Sequence, residues 1–210
     1  MSENKEILNF NPKKLLYSEY NDIVSKFSCG EDVFDTYLNK EALDDRLNGR
    51  GVTYIVIDQA TKSSNKKDED KNPLQSECKL VAYYTISTST VHFIDAYDFE
   101  DAGIPEPEKR KHYSPISAVI INMFAVNNEY QDCIYEEELV SSLVLQSLIS
   151  DIYDITTNII GAKMIILCSV PDAVDFYKRN NFKEFPKEYT IFDYIDLADN
   201  KAMYLTLHDS

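Results

Sequence analysis

The side chains that could do chemistry cluster between Ser117 and Phe182, on one turn and one short helix. The turn runs Gln131, Asp132, Cys133, Ile134, Tyr135, Glu136, Glu137, Glu138, between an apolar strand and a long helical pattern. A strand whose next turn opens a helix makes a site for a cofactor phosphate, because the first helical amides lack partners of their own. The composition of this turn argues the other way. No glycine occurs between Gly103 and Gly161, and Asp132, Glu136, Glu137 and Glu138 stand where a phosphate would want bare backbone. Cys133 has no histidine near it in sequence to serve as base, so it reads as a plain loop thiol. Downstream, Tyr177 offers a phenol and Ser169 a hydroxyl just past a strand. By residue type alone Tyr177 is a core aromatic and Ser169 a helix cap. Glu129 and Asn122, near the end of the apolar strand, read as solvated groups rather than as a base.

The elements that must position these groups can be read from periodicity. Val33, Phe34, Tyr37, Leu38, Ala42, Leu43 and Leu47 recur at helical spacing, which predicts one helix from Asp32 to Leu47, ended by Gly49 and Gly51. Gly51–Asp58 and Cys78–Val91 are β-branched and aromatic, and predict an antiparallel hairpin. Between them Gln59–Glu77 is almost wholly polar and reads as a mobile loop. Phe93–Tyr113 reads as irregular, with Pro105 and Pro107 breaking helices. Ala118–Val126 has one polar residue, Asn122, as expected of a strand covered on both faces. Glu137 to Asn158 is the longest helical pattern, with Glu136–Glu138 well placed for its N-terminus. Met164–Cys168 is a short buried strand, and Ala173–Tyr177 fill a helix that stops at Asn180-Asn181. Tyr189–Asp193 and Ala202–Leu207 read as closing strands. There is no internal repeat and no second core, so a single domain over residues 1–210 is expected.

Composition bounds the chemistry. At 210 residues, 44% hydrophobic, with 15 Tyr and 10 Phe, the chain can bury a sizeable core. A formal charge of −15 and a pI near 4.5 disfavour a nucleic-acid partner. Cys29, Cys78, Cys133 and Cys168 are scattered without C-x-x-C spacing and the three His are isolated, so no metal is expected. The start lacks an apolar leader core and no segment approaches a membrane span; a reducing cytoplasm fits best.

This order of elements, from Phe27 to Leu207, resembles the GNAT superfamily of N-acetyltransferases, and within it the branch of toxin-type acetyltransferases. Three pieces carry the resemblance. Phe27-Ser28-Cys29-Gly30 is similar to the branch's F-x-C-G; Met123-Phe124-Ala125-Val126 followed by Tyr130-Gln131 is similar to L-A-V-D-x-x-(W/Y)-Q; Ala173 to Phe182 is similar to A-x-x-F-Y-x-x-x-G-F. The resemblance implies an α/β domain with a central mixed sheet of six to seven strands flanked by helices, splayed near Ala125–Val126. It implies acetyl transfer from acetyl-CoA, as co-substrate, to a primary amine. Phe124, Ala125 and Val126 would pair through their backbone with the pantetheine arm, Ser169 could hydrogen-bond it, and the turn Gln131–Glu136 would wrap the pyrophosphate. Tyr177 would protonate the leaving thiolate, a sensible role for a phenol.

The chain departs from the family at that turn. Registered from Gln131, the glycine positions of (Q/R)-x-x-G-x-(G/A) fall on Ile134 and Glu136, with Asp132 directly after the Gln. Three readings are open: an acetyl-CoA-dependent N-acetyltransferase, a catalytically inactive relative that has lost acyl-CoA binding and serves as a binding or regulatory protein, and an enzyme whose phosphate site is rebuilt from Lys178 or Arg179. Toxins of this branch modify aminoacylated tRNA, which asks for a basic docking face. The acidity of this chain suits a small cationic amine or a protein amine instead. A homodimer, an antitoxin partner and the general base are left open by the sequence.

Overall fold

The structure is a computed structural model in which residues 13–14, 18–58, 79–95, 112–135, 137–186, 189–190 and 199–207 are described. It divides into two compact units, residues 1–87 with 121–151 and residues 88–120 with 152–210. The long polar stretch Gln59–Glu77 lies outside the described residues.

In the first unit a two-residue strand β1 (Lys13–Lys14) is followed by a short helix α1 (Asn21–Val24) and then by α2 (Asp32–Lys40) and α3 (Ala42–Leu47). The single helix expected over Asp32–Leu47 is thus two, broken at Glu41 with neither Pro nor Gly to announce it. Tyr37 bridges the break, its hydroxyl donating to Asp45 at 2.9 Å. Gly49, at φ 69°, ends α3 in a Schellman turn, with Arg50 N–H bonded to Asp45 O and Gly49 N–H to Arg46 O. Strand β2 (Val52–Asp58) pairs antiparallel with β3 (Lys79–Asp95), as the sequence predicts. The register slips between Val56 and Ile57, leaving Val81 as the extra residue of a bulge whose carbonyl accepts the Asn127 amide at 2.8 Å.

Ile55, Ile57, Leu80 and Tyr83 of this hairpin pack with Phe27, Tyr37, Leu38 and Ala42 to form the core of the unit. Complete burial of each large apolar side chain contributes roughly 1.5–3 kcal/mol. Tyr83 illustrates how polar ends are satisfied there. Its ring meets that of Phe27 edge-on at 5.3 Å and its hydroxyl donates to Phe34 O at 2.8 Å. Thr53 and Thr85 sit opposite one another, both fully buried, with their hydroxyls 2.7 Å apart.

Strand β4 (His112–Val126) is longer than the expected Ala118–Val126, and with β3 it takes in the ends of the segment read as irregular. After β4 come a small hairpin, β5 (Ile134–Tyr135) with β6 (Glu138–Leu139), and then α4 (Val140–Asn158). Strands β3 and β4 and helix α4 each run from one unit into the other. In the second unit β7 (Met164–Ser169) is followed by α5 (Val174–Arg179), β8 (Lys183–Glu184), β9 (Tyr189–Thr190) and β10 (Lys201–Thr206). Strand β10 pairs antiparallel with β7 from Lys201↔Ser169 to Thr206↔Met164. Val91, Ala118, Ile120, Met164 and Ile166 make its core. The sheet order is β1-β2-β3-β4-β7-β10-β8, with β9 on β3. Five strands of six residues or more carry it; β1, β8 and β9, of two residues each, border it. Residues 191–193 of the expected closing strand Tyr189–Asp193 lie outside the described residues. Among the described residues no helix is long and apolar enough to cross a membrane.

Candidate functional site

Phe124, Ala125 and Val126 end β4 in the first unit, with Ala125 and Val126 buried. The residues after Val126 fasten this end to the loop before α2. Asn128 N–H donates to Ser28 O at 2.9 Å. The Asn128 side chain, turned so that both its ends are satisfied, donates to Cys29 O at 2.7 Å and accepts from Gly30 N–H at 3.3 Å. Gln131 Nε2 donates to Val126 O at 3.0 Å and to Cys29 O at 2.9 Å. Gly30 adopts φ 91°, and a Cβ there would lie 3.3 Å from the Asn128 amide. Asp35 holds the same loop from α2, accepting from Ser28 Oγ and from Cys29 N–H, each at 2.9 Å. Burial pushes the Cys29 thiol up to about 11, which keeps it protonated and unreactive at neutral pH.

The candidate phosphate turn is a hairpin. Tyr130 N–H bonds Asn127 O at 2.8 Å, Cys133 N–H bonds Tyr130 O at 3.2 Å, and Val140 N–H, the first of α4, bonds Cys133 O at 2.9 Å. Ile134 pairs with Leu139 and Tyr135 with Glu138. Glu137 takes a left-handed φ of 71° at the tip, and Glu136 lies outside the described residues. The helix expected from Glu137 therefore starts at Val140, and Glu138 is a strand residue whose carboxylate accepts from Gln146 Nε2 at 3.0 Å. Nothing in the sequence announces this hairpin, because two-residue hairpin loops usually carry Asn or Gly and this one carries Glu136-Glu137. Cys133 keeps a loop position, its thiol donating to Glu129 O at 3.2 Å. Glu129 is ion-paired with Lys79, Asn122 donates to Ser87 Oγ at 2.8 Å, and the buried Tyr130 donates to Asp58 at 2.8 Å.

Tyr177 lies in the second unit, on α5. Asn181, at φ 68°, closes α5 in a full Schellman motif, with Phe182 N–H bonded to Tyr177 O at 3.0 Å and Asn181 N–H to Lys178 O at 3.1 Å. The hydrophobic contact that accompanies the motif is Tyr177 against Phe182, edge to face at 5.6 Å, with Phe176 at 5.1 Å on Tyr177 as well. The phenol is 7% exposed, and burial raises its pKa above the ordinary value of 10. It remains protonated across the working range, so it can donate a proton or hydrogen bond and cannot serve as base. Ser169 is 1% exposed and donates to Val170 O at 2.9 Å. It caps nothing: the turn at Pro171–Ala173 begins after Val170, one residue too late for its hydroxyl.

The residues of the β4 end fit a pantetheine arm, a neutral chain whose amides ask only for strand backbone. The turn does not fit a diphosphate. No Lys, Arg or His occurs between His112 and Lys163, a run that holds seven carboxylates: Glu129, Asp132, Glu136, Glu137, Glu138, Asp151 and Asp154. A carboxylate about 4 Å from a phosphate charge costs on the order of 1 kcal/mol in water and about 4 kcal/mol in a partly screened surface site. Of the two cations that could rebuild the site, Lys178 is ion-paired with Glu184 at 2.6 Å and Arg179 is exposed at the end of α5. A cavity of about 320 Å³ lies by Val24, Leu38, Leu43 and Leu47, and none of the candidate residues lines it.

No protein-family model and no curated protein matches the sequence. Solved structures do. A Tyr-to-Phe mutant of the toxin AtaT superposes with TM-score 0.63 at 14% identity, over 94% of this chain and 89% of that one. The same mutant bound to the C-terminus of the antitoxin AtaR and acetyl-CoA gives 0.59 at 14%, over 93% of each chain. AtaT complexed with acetyl-methionyl-tRNAfMet gives 0.56 at 17%, over 87% of this chain and 93% of that one. The chain has the GNAT-type α/β fold of these toxins.

Proposed function

We propose that the chain is an N-acetyltransferase that moves an acetyl group from acetyl-CoA to a primary amine. The observation that carries this is the fold shared along nearly the whole chain with a toxin solved with acetyl-CoA. In this reading the amine, in its neutral form, attacks the thioester carbon, and the tetrahedral intermediate breaks its C–S bond and expels the thiolate. Tyr177 protonates that thiolate, and the proton shed by the new amide nitrogen passes to solvent, from which the phenol is reprotonated. Backbone groups of Phe124, Ala125 and Val126 hold the pantetheine arm. The reaction is placed in a reducing cytoplasm, as four cysteines scattered without paired spacing suggest.

The acceptor is proposed to be a cationic amine, either a small polyamine-like compound or a lysine or N-terminal amine of a protein. A net charge of −15 attracts such amines and repels the tRNA bound by AtaT. A second reading has one observation in its favour: the β5–β6 hairpin, which stands where an open loop would bind CoA, suits a binding or regulatory protein that holds no acyl-CoA. Thermal unfolding with acetyl-CoA separates the two. A ligand at a hundredfold its dissociation constant stabilises the native state by about 2.7 kcal/mol, several degrees for a chain of this size. The enzyme shows that shift, and no shift at millimolar acetyl-CoA leaves the non-catalytic protein.

A further inference from the structure

We infer that the chain recognises its acyl donor through the pantetheine thioester alone, with no favourable contribution from the nucleotide diphosphate. This rests on the acetyl-transfer reading and narrows its donor site. A diphosphate is held by backbone N–H groups without other partners, by polar side chains, or by cations. Here the amides of Tyr130, Cys133 and Val140 are each bonded to a carbonyl of the same turn. The pairing of Tyr135 with Glu138 engages further backbone groups across the hairpin. Gln131, the uncharged donor of the turn, has its amide on Val126 O and Cys29 O. Lys79, which reaches the turn, is held by Glu129. Asp132, Glu137 and Glu138 are exposed there with no cation in their own stretch of chain. The bonded amides and paired donors of the turn, with its exposed carboxylates, thus set like charge against a diphosphate and offer it no cation from their own stretch of chain. A pantetheine arm is indifferent to these charges, since it is neutral and asks the end of β4 only for backbone hydrogen bonds.

The test titrates the intact protein by calorimetry with acetyl-CoA and with S-acetyl-pantetheine, at low and at high salt. The inference predicts dissociation constants within about threefold of each other at high salt, a difference well under the tenfold of a single good interaction. At low salt, where repulsion is unscreened, acetyl-CoA becomes the weaker ligand. Acetyl-CoA binding more than about tenfold tighter, and weakening as salt is added, would overturn the inference and leave the acetyl-transfer reading standing. Binding of neither ligand would remove that reading and this inference with it.

Discussion

Tyr177 is where the proposed chemistry is most exposed to test. Phe at this position keeps the ring contacts with Phe176 and Phe182 and removes only the hydroxyl. Tyr177→Phe should lower kcat by about 10²- to 10⁴-fold, the range of one general acid, with acetyl-CoA affinity unchanged. Steady-state kinetics beside a calorimetric titration would check it; equal loss of affinity would place the phenol in binding. Because burial raises the phenol's pKa, the wild-type rate should show no loss from phenol ionisation up to about pH 10. Gln131 has a structural part beside the cofactor contact its motif position implies. Its donors fasten Val126 to Cys29, so Gln131→Met should cost about 1–2 kcal/mol of unfolding free energy in a denaturant titration. An unchanged midpoint would mean those two bonds contribute nothing. The motifs around Phe27–Gly30 and Tyr130-Gln131 were legible as residue strings, but their mutual bonding was not, since it joins positions about a hundred residues apart.

At the scale of elements, the sequence was most informative where side-chain periodicity decides the structure. Strands β2 and β7 and helix α5 follow their apolar patterns, and Asn181 takes the left-handed position expected from its type. It was least informative where backbone bonding decides. The break at Glu41, the slip at Val81 and the β5–β6 hairpin contain neither Pro nor Gly, so no local signal marks them. Glu137 sits left-handed at the hairpin tip at the cost of strain that glycine would not bear. Glu137→Gly should raise stability by about 0.5–1 kcal/mol, read as a higher melting temperature; destabilisation would mean the tip is not left-handed. The Thr53–Thr85 pair gives a second check on the hairpin β2–β3. Thr53→Val alone strands a buried hydroxyl and should cost about 1–3 kcal/mol, whereas the double Val variant should recover much of that loss. Additive losses would show that the two hydroxyls do not interact.

At the scale of the molecule, two features of composition have structural consequences. The first is the abundance of tyrosine. Burial raises the pKa of Tyr83, Tyr84, Tyr130 and Tyr177, in Tyr84 and Tyr130 with further rises from Asp151 and Asp58. A phenol that ionises in the unfolded chain near pH 10 and stays protonated in the native one adds stability that is complete below pH 10 and falls above it. Each such group removes about 1.4 kcal/mol per pH unit beyond that point. The chain should therefore unfold cooperatively in alkali, with phenolate absorbance rising together with loss of structure; phenolate appearing in a still-folded protein would contradict these assignments. The second feature is net charge. The fold class was legible because the order of strands and helices runs from Phe27 to Leu207, nearly the whole chain, and the acidity of the turn was legible because it is local in sequence. Whether its amides were available was not, because that depends on which carbonyls the folded turn presents.

The central claim, that this fold transfers an acetyl group to a cationic amine, is met most directly by the appearance of free thiol from acetyl-CoA. With a polyamine as acceptor, the protein should release thiol at a rate that saturates in amine and collapses in Tyr177→Phe. Thiol release at the uncatalysed rate from a folded protein offered polyamine and lysine peptide in turn, or release with aminoacylated tRNA alone, would contradict it.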